Sequence, residues 1–240
     1  MTTLLVALMV FAAVFMQTLS GFGFALMLMP LTTLLLGLRT AAPLVALLGL
    51  TAYTINIIRY RRAVNIPELL RLGAACALGV PFGIWALTNV DEWIIRPAMG
   101  LVLIVYAGYT LARPAVSRLA SPHWVYAAGF AAGCLGGAYN TPGPPVIIYG
   151  SLRQWPKDEF RAVLQALFFV NGILVVASHL LAHHVTAPVL TVYLYAVPAL
   201  LLGVLAGSRV DPSLDRDRFG RLISVLILLL GASLIVPLGP

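Results

Sequence analysis

Long apolar stretches separated by short polar ones set the element count of this chain. The first runs from Leu4 to Leu38. As one straight helix these residues would measure roughly 50 Å, well beyond a hydrocarbon core of about 30 Å. The run therefore either tilts and protrudes or folds back, and Ser20-Gly21-Phe22-Gly23-Phe24, with Pro30 beyond it, is where it has the residues to fold back. Thr40–Ile58 is an ordinary span closed by Arg59-Tyr60-Arg61-Arg62, and further spans run over Pro67–Leu87 and Arg96–Leu111. The second half repeats this pattern with a broken run, His123–Gly150, and spans at about Phe160–Leu181, Pro188–Gly207 and Arg221–Leu238.

The second broken run holds Gly133-Cys134-Leu135-Gly136-Gly137-Ala138-Tyr139-Asn140-Thr141-Pro142-Gly143-Pro144-Pro145. Hydrocarbon offers no water to backbone N–H and C=O groups, so such a break survives only where protein or a water-filled cavity covers it. Pro144 and Pro145 are suited to open a new helix, and Asn140 and Thr141 are capping types placed just before them. A helix N-terminus at membrane depth carries roughly half a positive charge and is a candidate anion site. A proline kink with small packing residues is the plainer reading of one such break. Two breaks at matching places argue for more.

Sliding the halves against each other aligns Asn56 with Asn171, Pro67 with Pro188, and Leu78-Gly79-Val80-Pro81-Phe82-Gly83 with Leu202-Gly203-Val204-Leu205-Ala206-Gly207. The chain reads as a duplication, residues 1–112 and 123–240, with its seam between Arg113 and Pro122. Paired Gly- or Pro-interrupted segments in two halves point to a transporter's binding site. The glycine pairs 79/83, 203/207 and 129/133 have the spacing of close helix packing.

Composition sharpens the class. At 61% hydrophobic and 10% charged residues, the chain has too little polar surface to cover a soluble globule, and its lipid partner is the bilayer. The formal charge of +7 is topological, because a nucleic-acid reading would need a clustered basic face, which is absent. Cys76 and Cys134 sit in apolar runs as packing residues, and no metal-ligand spacing or cofactor motif appears. The first twenty residues imitate a signal peptide, but no Lys or Arg precedes the apolar region, so they read as a retained membrane segment.

Loop charge separates two topologies. If every apolar run crosses once, the cationic loops split nearly evenly and favour neither orientation. If both broken runs are re-entrant, then Arg59, Arg61, Arg62, Arg71, Arg113, Arg118, Arg153, Lys157, Arg161, Arg209, Arg216, Arg218 and Arg221 share one side and only Arg39 and Arg96 face the other. The larger group is then cytoplasmic, both termini lie outside and the halves are inverted. The predicted fold is an all-α polytopic membrane protein of two inverted repeats. Each is a broken, re-entrant helix hairpin plus three transmembrane helices.

All eight acidic residues lie at segment ends or in loops, which disfavours a cation pump, since proton and sodium relays use an intramembrane acid. The polar groups at depth are neutral: Gln17, Ser20, Asn56, Asn140, Thr141, Gln165 and Asn171. With glycine amides and two helix N-termini they form a donor-rich lining suited to a small anion that must be held briefly. His179 is the ionisable group well inside a span; it either relays a proton or packs against a neighbouring helix, the commoner role. His183 and His184 read as interfacial. Arg153 and Arg161 near the cytoplasmic mouth attract anions or only signal topology. Trp85, Trp93, Trp124 and Trp155 fall where aromatic belts belong. Ser20 has no histidine in its half to activate it, so the chain does not read as an enzyme.

With Ser20-Gly21-Phe22-Gly23-Phe24 and Pro30 in one half, and Gly129–Gly137 leading into Gly143-Pro144-Pro145 in the other, the chain resembles the TauE/SafE sulfite-exporter family, also called the 4-toluene sulfonate uptake permeases. The likeness in layout covers essentially the whole chain. Members usually read closer to Gly-Thr-Gly-Gly-Pro near the second break, where this chain has Asn140-Thr141-Pro142-Gly143-Pro144-Pro145. The resemblance implies a bacterial inner-membrane permease for sulfite, thiosulfate or organosulfonates such as sulfoacetate. The residues alone argue for a small anion. Expected at the site are Gln17, Ser20, Gly21, Phe22 and Gly23 from the first break, Gly136, Gly137, Asn140, Thr141 and Gly143 from the second, and Asn56, Gln165 and Asn171 around them. Access alternates as one repeat rocks against the other, in the export direction. An anion channel filtered by the same tips, and an accessory protein without transport, are the other readings. The oligomeric state is open, a homodimer included.

Overall fold

A computed structural model of the chain describes residues 2–60, 63–112, 121, 123–210 and 216–235. Ten helices lie among them: α1 Thr2–Ser20, α2 Phe24–Leu36, α3 Leu38–Tyr60, α4 Ile66–Asn89, α5 Glu92–Ala112, α6 Trp124–Tyr139, α7 Gly143–Leu152, α8 Lys157–Leu181, α9 Ala187–Arg209 and α10 Arg216–Ile235. Both expected breaks are present, α1 from α2 and α6 from α7. Among the described residues five helices (α3, α4, α5, α8 and α9) are long and apolar enough to cross a membrane. The protein is all-α and polytopic. Most of the seam between Arg113 and Pro122 lies outside the described residues, as do Arg61, Arg62, Arg113 and Arg118 and the last residues of the final span.

Local chemistry sets several helix ends. Asn65 caps α4, its Oδ1 accepting the Glu68 N–H at 3.2 Å, with Pro67 in the first turn where a missing N–H is harmless. The start of α3 is capped from a distance, Glu92 Oε1 accepting the Leu38 N–H at 3.1 Å. A carboxylate there also complements the positive helix end.

Packing follows a two-fold pattern. The closest helix pairs are α4 with α6, α1 with α9, α5 with α10 and α3 with α8. Exchanging α1–α5 for α6–α10 in order turns α4–α6 into α9–α1 and returns α3–α8 and α5–α10 to themselves. The pair α3 and α8 is the centre, buried over most of its length, whereas α4, α5 and α9 leave most of theirs exposed. Leu78, Phe82, Trp85, Leu101 and Leu194 are among the large apolar side chains on that exposed surface. It is the face that lipid covers.

Backbones touch where the glycine pairs predicted. Cβ atoms added at Gly129 and Gly133 would meet the carbonyl oxygens of Leu72 and Cys76, and one at Gly137 that of Val80. On the other pair, Gly203 and Gly207 face Phe11 O and Phe15 O. Both registers rise together along the two helices, so α6 runs parallel to α4 and α1 parallel to α9. Gly100 and Gly231, which the sequence did not single out, do the same for α5 and α10.

A test of this packing is Gly133→Leu against Leu78→Ala. The first drives a side chain into Cys76 backbone, for which overpacking costs of about 1–3 kcal/mol are a floor. The second trims an exposed residue. We expect monodisperse protein in detergent to be lost only with Gly133→Leu, read by size-exclusion chromatography.

Candidate functional site

The first break is a reversal held by two glutamines. Gly21 (φ +86°) and Gly23 (φ +103°) both lie in the left-handed region that a side chain resists. The turn exposes backbone groups that no helix pairs. Gln17, buried on α1, accepts the Phe24 N–H on its Oε1 at 3.1 Å, replacing the missing N-cap of α2. Gln165, reaching in from α8, donates its Nε2 to Gly21 O at 2.7 Å, and its Oε1 accepts Gln17 Nε2 at 3.4 Å. Ser20 stays local, its Oγ 2.7 Å from Met16 O and accepting the Phe22 N–H at 3.3 Å.

The second break is built differently. Asn140 takes a left-handed conformation (φ 55°) and closes α6, its N–H bonded to Gly136 O at 2.8 Å. Its side chain donates to Ala42 O on α3 at 2.8 Å. The expectation that Asn140 and Thr141 cap α7 is therefore corrected. Pro142 holds the N-cap position without a side-chain bond, and Asn140 instead ends the preceding helix and ties it to α3. Pro144 and Pro145 do open α7. Because neither carries an N–H, Gly143 keeps the one amide N–H of its first three residues.

The two breaks meet. Between them lies a cavity of about 10 Å³, lined by Gly23, Phe24, Ala25 and Leu26 of the first break and by Asn140, Thr141, Pro142 and Gly143 of the second, with Gln17 and Phe22. That is room for about one water. First turns of two helices thus open onto one small space among buried residues, which adds their positive ends. Tyr53 of α3 and Phe168 of α8 complete the wall, their rings 5.3 Å apart, and Phe24 packs edge-on against Tyr53.

Of the expected residues, Gln17, Phe22, Gly23, Asn140, Thr141 and Gly143 line this cavity, and Gly21 and Gln165 are bonded into its rim. Ser20 faces a different cavity. Asn56, Asn171, Gly136 and Gly137 are not among the lining residues. Asn171 packs against Gly136 and accepts the Cys76 thiol at 3.4 Å, and Gly137 packs on α4. Asn56 is buried with its Nδ2 unpaired among the described residues. Tyr53 and Phe168 were missed. A signal existed: each stands three residues before one of the aligned asparagines, on the same helix face.

Two larger cavities flank the small one. A cavity of about 310 Å³ is lined by Ser20, Ser151, Gln154, Trp155 and Arg161, among others. Trp155, half-buried, lines this cavity and packs on Tyr149 and Phe160. Arg161 lies against Gly21 and forms no ion pair among the described residues. A second cavity, about 190 Å³, is lined by Arg39, Leu87, Thr88 and His184. Helix α8 starts at the first and ends beside the second, so roughly 30 Å separates them at 1.5 Å per residue. The described residues contain no group of three His, Cys, Asp or Glu able to hold a metal ion.

Apolar crossing helices and two converging helix breaks with a small cavity between them fit a membrane transporter. The chain belongs to the family described as Sulfite exporter TauE/SafE, which matches residues 5–234. It is accordingly a multi-pass protein of the bacterial inner membrane. It is 25% identical to the probable sulfite/organosulfonate exporter TauE of Cupriavidus necator, over 94% of this chain and 91% of that one. It is 26% identical to the probable inner membrane transporter protein TsaS of Comamonas testosteroni, over 66% of this chain and 67% of the relative. No solved structure matches the chain.

The glutamine pair is open to test. Gln165→Leu strands the buried Gly21 carbonyl, at a cost of about 1–3 kcal/mol. A clear drop in the thermal unfolding midpoint is expected, with none for the exposed control Gln154→Leu.

Proposed function

We propose that the chain is a permease exporting a small sulfur-containing anion, such as sulfite, thiosulfate or a short organosulfonate like sulfoacetate. The anion is held where the two broken helices meet. One observation carries this reading: the first turns of α2 and α7, from matching places in the two halves, line one buried cavity that contains no carboxylate. The amides of Ala25, Leu26 and Gly143, with the Thr141 hydroxyl, are the donors offered to an oxyanion. The family description and the name of the Cupriavidus necator relative support the sulfur chemistry.

The repeats are inverted in this reading. Helix α1 runs parallel to α9 and α6 parallel to α4, while α2 ends beside Arg39 and α7 ends at the Arg161 cavity. Each broken pair is then a hairpin entering from its own side. Arg71, Arg153, Arg161 and Arg209 stand at the end of the bundle where α8 begins, and Arg39 and Arg96 at the other. The positive-inside rule makes the Arg161 cavity cytoplasmic. Arg161 gathers the anion there, Gly21–Gly23 and Gly143 pass it through the middle, and rocking of one repeat against the other opens the small cavity. A potential negative inside favours the outward step by about 2.3 kcal/mol per charge per 100 mV.

The test is anion-dependent thermal stabilisation of purified protein, with sulfite, thiosulfate, sulfate, sulfoacetate and acetate compared. A ligand that binds the native state raises apparent stability. We expect a rise with a sulfur oxyanion or sulfonate and its loss in Gly143→Leu, whose side chain fills the space beside Phe168. The same rise in wild type and variant would remove the tips from the site.

A further inference from the structure

At the far end of α8, His179 is fully buried and its Nδ1 lies 3.0 Å from Nδ1 of His184, in the turn after the helix. A single hydrogen fits between them. Nε2 of His179 is buried without a partner among the described residues. A stranded N–H is rarer in folded proteins than an under-used lone pair, which assigns the shared proton to His179 Nδ1, donating to His184. Neutral His184 then carries its own proton on Nε2, the ring nitrogen left for the cavity that His184 lines. The same cavity of about 190 Å³ holds Arg39 in the first turn of α3. Glu92 is engaged with the Leu38 N–H, and neither it nor Asp91, in the turn before α5, forms an ion pair with Arg39 among the described residues. Thr88 directs its hydroxyl at backbone carbonyls of its own helix, so it adds no donor.

We propose that this cavity is a second oxyanion site, at the outer mouth, in which the Arg39 guanidinium and the His184 Nε2–H bind the anion leaving the small cavity. The chemistry it takes is a compact anion with two or more exposed oxygens: two donor side chains and no carboxylate are among the lining residues. His179 is a positioning residue, fixing through its shared proton which nitrogen of His184 faces the anion. The site rests on the reading of the chain as an anion permease for its role, but not for its binding chemistry. A lipid phosphate at the membrane surface offers the same oxygens and must be told apart from a free anion.

The decisive measurement is thiosulfate counterflow in proteoliposomes of the full chain, with half-saturation determined separately at each face, for wild type, Arg39→Gln, Arg39→Lys and His184→Gln. We expect Arg39→Gln and His184→Gln to raise the outer half-saturation about tenfold, the size of one charge-assisted hydrogen bond, with the inner value within about twofold and Arg39→Lys closer to wild type. His179→Leu should reproduce His184→Gln at the outer face, and His179→Asn, which keeps an amide donor, should restore it; a merely structural His179 would shift both faces together. Equal shifts at both faces, or none, overturn the proposal. Thiosulfate binding to protein in phosphatidylcholine nanodiscs is measured alongside. Loss of transport in wild type with binding still abolished by Arg39→Gln would sink the permease reading and keep the site, whereas no binding would sink the site. If instead Arg39→Gln removes only co-purifying phosphatidylglycerol, seen by native mass spectrometry, the cavity belongs to a lipid headgroup and not to the transported anion.

Discussion

Every break in a helix inside an apolar protein leaves N–H and C=O groups that neither lipid nor water can satisfy, and this structure depends on how two such breaks are satisfied. At the first, Gln17 and Gln165 take up the Phe24 N–H and the Gly21 carbonyl and bond to each other. Those side chains come from α1 and α8, from opposite halves of the chain. The turn at Gly21–Gly23 is thus fixed only when the second half is in place. At the second break the dependence runs the other way, because Asn140 donates to Ala42 in the first half. Each half finishes the other's break. A single repeat would leave its own tip unpaired.

Satisfying the breaks fixes their position, and the glycine contacts fix their reach. Backbone-on-backbone contact of α6 with α4, and of α1 with α9, leaves no thickness of side chain between the broken helices and their supports. In a membrane such contact supplies the van der Waals attraction that apolar side chains would otherwise share with lipid. The broken pairs are held from outside by these supports, while their inner faces meet α3 and α8. Tyr53 and Phe168 on those central helices then close the space between the tips. Moving either ring, or sliding α3 against α8, would enlarge a cavity with room for only about one water.

Much of this was legible in the sequence, and the reason differs by feature. Gly133 and Gly207 could be read because small residues at helical spacing have one main use in a bilayer. The breaks could be read because a run as long as Leu4–Leu38 has nowhere else to put its length. The role of Gln165 was only half legible: a buried glutamine must bond to something, but its acceptor, Gly21 O, is set by tertiary contact. Asn56 and Asn171 show the opposite limit. They align when the two halves are compared, yet polarity at membrane depth does not say which face of the helix a residue occupies, and Asn171 is engaged by Cys76 beside Gly136. His184 was placed at the interface by its position near a helix end, whereas a bond to His179 across five residues draws it inward.

Along the proposed anion path, charge is distributed in a way that favours passage over capture. At an effective dielectric of about 20, a full charge 4 Å from an anion attracts it by about 4 kcal/mol, and each 1.4 kcal/mol of binding slows release about tenfold at a fixed association rate. An arginine at the middle cavity would hold an anion for long times. The lining there carries instead partial charges of helix ends and neutral amides, roughly half a charge each. Full charges, Arg161 and Arg39, stand at the two outer cavities, where water screens them, so that an anion bound there is still released quickly. In the proposed mechanism, weak binding in the middle and attraction at both ends let the rocking bundle turn over without a tightly bound intermediate.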